Sequence, residues 1–142
     1  MKRLIYSFII SISLLFIGCG HQVKEENIKD INGYWEIEKV KLPDGSEKDY
    51  DINTTVDFFE LDSNGKGFRK KVMPQIDGSY ETNDVVENVQ VKKEKDEYWI
   101  EYKTEYASWK EQLLSIDQNN MVVKNTHNLT YTYKRPIPFS KK

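Results

Sequence analysis

From Gly33 onward, apolar and polar residues alternate with a period of two, the pattern of strands that bury one face. The first such run is Tyr34 to Leu42. Trp35 and Ile37 share one face, whereas Val40 and Leu42 have the opposite parity. A phase flip inside one strand predicts a bulge near Glu38-Lys39, of the kind that lets a strand bend around a barrel. Pro43-Asp44-Gly45-Ser46 reads as a turn, and Glu47 to Asn53 as a loop or lid. A second strand is expected from Thr54 to Asp62, followed by a hairpin turn at Asp62-Ser63-Asn64-Gly65. The next runs from Gly67 to Met73 and stops at Pro74. Gln75 to Asp84 is turn-rich, with a short strand at Ser79 to Thr82. Strands over Val85 to Lys93, Glu97 to Glu105 and Ala107 to Ile116 follow. Met121 to Asn125 and Leu129 to Lys134 make the last hairpin. That is about eight or nine short strands, with turns every eight to twelve residues. Links this short favour sequential pairing. The expected fold is all-β: an antiparallel up-and-down barrel of eight or nine strands.

The first residues follow another rule. Met1-Lys2-Arg3 is basic, Leu4 to Ile17 is apolar, and Gly18-Cys19 follows. An apolar run of about 14 residues at ~1.5 Å each reaches only about 21 Å, too short to cross a membrane core. A basic start, a short apolar run and a small residue are the parts of an export signal. Cys19 is the one cysteine in the chain and cannot form a disulfide within its own domain. Leu15-Phe16-Ile17-Gly18-Cys19 resembles the lipobox of bacterial lipoproteins, with Phe16 where that family usually has leucine. The resemblance implies that Cys19 is lipid-modified (palmitate and related acyl chains) and holds the protein on a membrane of the cell envelope, the outer membrane in particular. The expected organisation is a signal peptide over 1–18, a tether over 19–32, a barrel over 33–135 and a tail over 136–142. Lys24-Glu25-Glu26 resembles the surface-export signal of some Bacteroidetes lipoproteins and equally suits a solvated linker. Ile28 and Ile31, three apart, allow one helical turn before the barrel.

Gly33-x-Trp35 at the start of the first strand, with Tyr133-Lys134-Arg135 at the end of the last, resembles the signature of the lipocalins. The whole set is similar to the short lipocalin-like lipoproteins of Bacteroidetes. The resemblance implies that Trp35 lies at the closed end of the barrel, with Arg135 across it. It also implies a binding module for a small apolar ligand. The chain departs from long lipocalins in length and in having Pro136-Ile137-Pro138 where they carry a helix.

Composition narrows the partners. The chain has 142 residues and a net charge of −2, so nucleic acid is not indicated. One modest domain is expected, as a monomer. The aromatic residues Phe58, Tyr98, Tyr102, Tyr131 and Tyr133 are candidate pocket walls. Equally, they are the side chains that would fill an eight-stranded barrel. Glu60 shares parity with Phe58, Lys70 with Phe68, and Glu111 with Trp109 and Leu113. Glu60 and Glu111 are therefore candidate inward carboxylates that would orient a ligand head group. Arg69-Lys70-Lys71 and Lys92-Lys93 read as solvated faces.

Asp62 to Gly67 fails as a calcium loop, because Lys66 stands where an oxygen ligand is needed. His21 and His127 are the only histidines, and neither has a metal-ligand or nucleophile partner nearby in sequence. No catalytic residue, metal or cofactor is expected. Two readings remain open: a ligand-binding barrel, and a filled barrel that binds or inhibits an envelope partner.

Overall fold

The computed structural model describes residues 22–138. The expected signal peptide, Cys19 and the last residues of the tail lie outside them. The described chain forms one 3-10 helix, Glu25–Ile31, and nine strands: β1 Gly33–Lys41, β2 Glu47–Asp49, β3 Val56–Leu61, β4 Lys66–Pro74, β5 Tyr80–Glu94, β6 Glu97–Lys103, β7 Ser108–Ile116, β8 Asn120–Asn125 and β9 Thr130–Lys134. The sheet runs β2-β1-β3-β4-β5-β6-β7-β8-β9 and closes where β1 also pairs with β9. The fold is therefore a closed eight-strand antiparallel barrel with β2 as one extra strand.

β1 is the strand that closes it, and it changes partner along its length. Gly33, Tyr34 and Trp35 pair with Phe59, Phe58 and Asp57 of β3. Lys39 to Lys41 pair instead with Asp49 to Glu47 of β2. Its other edge follows β9 from Glu36↔Lys134 to Lys41↔Thr130, with a register shift between Ile37 and Lys39. The expected bulge is there, and it returns Val40 to a buried position. Where β1 leaves β3 the wall is completed by segment 50–55. The Tyr50 amide donates to the Glu38 carbonyl at 2.9 Å, and Asn53 Nδ2 donates to the Ile37 carbonyl at 2.8 Å.

Three expectations need correction here. Glu47–Asp49, expected within a loop or lid, is strand β2, exposed on every residue and so without apolar alternation, and held by pairing with Lys39–Lys41. Ser79–Thr82 and Val85–Lys93 are one strand, β5, bent at Asp84. Asp84 has φ 61, and β4 opposite shifts register between Lys70 and Val72. Period-two patterning cannot carry across such a bend, so the sequence reads it as a turn. Residues 25–31 of the expected tether are not free linker. They form the 3-10 helix, which covers the barrel end with Ile31 fully buried and Val23 and Ile28 packed against the core. Ile28 and Ile31, three apart, with Val23 just before the helix, give it an apolar face whose packing holds so short a helix in place. No helix among the described residues is long and apolar enough to cross a membrane.

Candidate functional site

The interior divides into two halves. At the end carrying the 3-10 helix, Trp35, Phe59, Leu61, Val91, Tyr98, Ile100, Leu113, Ile116, Met121 and Val123 form one apolar cluster. Trp35 donates through Nε1 to the Ile31 carbonyl at 2.7 Å, so its one polar atom is satisfied. Arg135 lies flat across its ring, 3.6 Å from the centroid. The guanidinium forks to four carbonyls: Nη1 to Asn32 at 3.0 Å and Tyr34 at 3.1 Å, Nη2 to Asp30 at 2.7 Å, and Nε to Gln118 at 2.9 Å. Asn32 ties the same end to β3, exchanging two bonds with the Leu61 backbone. Gly33 has φ 101, and a Cβ there would stand 3.1 Å from Arg135 Nη1. Only glycine meets both demands without strain.

The other half of the interior is polar. Asp57, Arg69, Lys71, Glu87 and Glu111, from β3, β4, β5 and β7, face inward beside Tyr102, Trp109 and Tyr131. Strand pairing sets most of the contacts, since Asp57 stands opposite Lys71 and Arg69 opposite Glu87. Lys71 Nζ reaches Asp57 at 2.8 Å, and Arg69 Nη1 is 3.9 Å from the same carboxylate. Arg69 Nε also pairs with Glu87. The guanidinium sits 4.2 Å from the Tyr102 ring centroid, with Phe59 and Trp109 at about 6 Å. Burial opposes the charge on Arg69, but Tyr102, Asp57 and Glu87 outweigh it and raise its pKa. Arg69 therefore stays charged inside the barrel.

Glu111 is set differently. It is 9% exposed, and its Oε2 has no hydrogen-bond partner. The Tyr102 hydroxyl is a hydrogen-bond neighbour of the carboxyl, and Arg69 acts on it from further off. Burial nevertheless dominates and raises the Glu111 pKa. Burial likewise holds the Tyr102 and Tyr133 hydroxyls far above their usual range, with Glu111 adding to both.

A cavity of about 280 Å³ opens at this end, under segment 50–55. Trp35, Ile37, Tyr50, Ile52 and Tyr133 give its lining an apolar and aromatic part, and Asn53, Thr54, Thr55, Asp57 and Lys71 a polar one. It lies where β1 has left β3.

The sequence-derived site residues fall into three places. Tyr133 lines this cavity, and Glu111, Tyr102 and Tyr131 belong to the polar half beside it. Tyr98 is buried in the apolar cluster at the closed end. Phe58 and Glu60 are corrected: both are on the outer face, because Asp57, Phe59 and Leu61 point inward. Phe58 joins an outer aromatic cluster with Tyr34 at 4.7 Å and Phe68 at 6.3 Å, and Tyr80 stacks on Tyr34 at 4.2 Å. The long β4–β5 hairpin covers this patch, so β3 is apolar on both faces and its parity is ambiguous. Lys70 is outward for the same reason, and Arg69, read as solvated, is 7% exposed. Asp57, Arg69, Lys71 and Glu87 were missed. The turn at Asp62–Gly65 fixes the β3–β4 register, and counting back from it sets Asp57 opposite Lys71 and Phe59 opposite Arg69. Among the described residues no group of three or more His, Cys, Asp or Glu is placed to hold a metal ion.

No family model and no curated protein matches the sequence. Among solved structures the chain is similar to a lipocalin-like protein from Bacteroides uniformis, with TM-score 0.49 and 11% identity, over 75% of this chain and 99% of that one. It is also similar to an uncharacterized protein from Bacteroides eggerthii, with TM-score 0.48 and 14% identity, over 74% and 98%. The likeness concerns architecture alone. The closed barrel with its extra strand is lipocalin-like on its own strand order.

Proposed function

We propose that this protein is a non-enzymatic binding module for a small, mostly apolar ligand, held at the cell envelope by a lipid on Cys19. One observation carries the binding reading: the cavity of about 280 Å³ whose lining includes Trp35, Ile37 and Tyr133. Its size is near the lower bound of ~300 Å³ for small-molecule sites, which suits a compact ligand and excludes a long acyl chain. The apolar half beneath it is filled, so the ligand sits shallow. Displacement of a fluorescent apolar probe by a panel of small aromatic and aliphatic compounds tests this. Absence of binding across the panel counts against it.

The lipid anchor rests on sequence: a basic start, a short apolar run, and a lone cysteine after Leu15-Phe16-Ile17-Gly18. The docked 3-10 helix begins at Glu25, which leaves about six residues, or roughly 20 Å when extended, between lipid and barrel. The closed end then faces the membrane and the mouth faces away. Metabolic labelling with a fatty acid tests the anchor, and a Cys19→Ser chain that still incorporates label contradicts it.

The second reading is a partner-binding or inhibitor module. Ile52, Met73, Ile76 and Tyr106 are 76%, 45%, 88% and 90% exposed, Ile52 and Tyr106 in loops at the mouth end and Met73 and Ile76 on the β4–β5 hairpin. Exposed apolar side chains of this kind suit a protein partner. A stoichiometric partner lost on Ile76→Ser, with no small-molecule binding in the probe assay, would favour this reading over the first.

A further inference from the structure

The long strand β5 has an edge without a neighbour. β6 pairs with it only from Asn88↔Lys103 to Glu94↔Glu97, so 80–87 is paired on the β4 side alone. Residues 81–86 are all exposed. Alternation of the backbone groups decides which of them are open. The Val91 amide donates to the Gly65 carbonyl on the β4 side. The Val89 and Glu87 amides therefore point to that side as well, and Val86 is turned to the free edge. At the hairpin tip the Gln75 amide donates to the Ser79 carbonyl, so Glu81 faces Met73 and Thr82 is turned outward. Between them the bend at Asp84 satisfies itself: the Asp84 amide donates to Thr82 Oγ1 and the Val85 amide to Asn83 Oδ1. The edge is closed within the bend and open on both sides of it.

Its charge is one-sided. Residues 75–90 hold four acids, Asp77, Glu81, Asp84 and Glu87, and no lysine or arginine. Asp77 is engaged by Ser79 in the turn, and Glu87 by Arg69 inside the barrel. Glu81 and Asp84 are exposed and form no ion pair among the described residues. Beside them Val85 and Val86 are 58% and 41% exposed. Edges of this length are commonly guarded by lysine or proline, and neither stands within 80–87. An open edge flanked by exposed side chains is the geometry of strand addition. A second copy would bring the acids of one edge to those of the other, and like charges facing across strands destabilise the pair.

We propose that the 80–87 edge of β5 accepts an extended basic segment of a partner protein. The backbone of that segment adds to the sheet, its lysines or arginines meet Glu81 and Asp84, and its apolar side chains lie beside Val85 and Val86. This rests on the partner-binding reading above, whose exposed Met73 and Ile76 lie on the same hairpin, and names the chemistry of that partner. The mouth cavity takes no part in it.

The test titrates the detergent-solubilised full chain, at low salt, with dye-labelled peptides of alternating lysine and valine or alternating glutamate and valine, read by fluorescence anisotropy. The lysine–valine peptide is expected to bind at least about fivefold more tightly, as a few exposed charge pairs predict. Glu81→Gln with Asp84→Asn is expected to bring the two within about twofold; asparagine tolerates the left-handed backbone of Asp84. At saturation the basic peptide is expected to slow amide hydrogen exchange at Thr82 and Val86 at least about tenfold. Equal binding of the two peptides, a preference that survives the double variant, or unchanged exchange at Thr82 and Val86 overturns the inference. A partner lost on Ile76→Ser would in that case leave the partner-binding reading standing. If neither peptide binds and no stoichiometric partner co-purifies, both fall. A native chain that sediments as a dimer, with Thr82 and Val86 protected before peptide is added, gives the edge to a second copy and overturns the choice of partner. If the double variant does not fold, the peptide ranking and the exchange in the native chain decide alone.

Discussion

The two halves of the barrel interior are built from the same strands and are stabilised by opposite means. At the closed end, polar side chains are few, and those of Asn32, Trp35 and Arg135 bond to backbone. Trp35 Nε1 meets the Ile31 carbonyl, and Arg135 meets four carbonyls. The rest is apolar side chain in contact with apolar side chain. At the open end, charged groups are paired with each other, and one carboxylate oxygen is left over. Apolar packing has no orientation to lose and tolerates small shifts. A buried ion network depends on every member, because removing one partner strands the others. The closed end is thus suited to hold the fold, and the open end to respond to what enters it.

The sharpest way to break this contrast is Arg69→Ala. It leaves Asp57 and Glu87 buried with only Lys71 nearby, so a loss of about 3–5 kcal/mol is expected in urea unfolding. A loss below about 1 kcal/mol would mean that water already screens the cluster.

Next in size is Arg135→Ala, which removes a guanidinium–indole stack and four bonds to carbonyls. About 2–3 kcal/mol is expected by the same measurement. Arg135→Lys should recover only part of it, since an ammonium cannot reproduce the flat fork. Full recovery by lysine would show that charge alone matters at the closed end.

Glu111→Gln should act in the opposite direction, and its effect should depend on pH. The folded-state pKa of Glu111 is raised above its ordinary 4.5. The proton it holds therefore stabilises the fold fully below the unfolded value, and that contribution is lost as pH rises through the raised value. Glutamine removes the penalty of the ionised form. A gain of about 1 kcal/mol is expected near pH 7.5, shrinking toward zero near pH ~4. Equal gains at both pH values would place the cause in packing and not in charge.

The smallest effect separates inner from outer face. Glu60→Gln, on the exposed side of β3, should change stability by less than about 0.5 kcal/mol and leave probe binding unchanged. A loss of binding would reverse the assignment of the two faces.

Much of the architecture was legible because it depends on local rules. The phase flip at Glu38-Lys39 marked the β1 bulge, and Asp62–Gly65 marked the β3–β4 turn. The contact between Trp35 and Arg135 was legible through the resemblance of Gly33-x-Trp35 and Tyr133-Lys134-Arg135 to the lipocalin signature, and the structure places the two together. The site was less legible. Two adjacent aromatics, Phe58 and Phe59, compete for the inward position. The outer cluster with Tyr34, Phe68 and Tyr80 makes the wrong choice look apolar. Arg69 hides inside a basic triplet whose middle member is outward. The cavity depends on β1 exchanging β3 for β2, a pairing choice made far along the chain and without a local signal.

The most direct measurement of the central claim is where a bound probe makes contact. Backbone and methyl chemical shifts of the labelled full chain, recorded during titration with a small aromatic probe, would locate it. The account predicts changes at Ile37, Tyr50, Asn53, Asp57, Lys71 and Tyr133, with Leu61, Tyr98, Ile116 and Met121 still. Changes centred on the closed-end residues, or on the outer Tyr34, Phe58 and Tyr80, would contradict it.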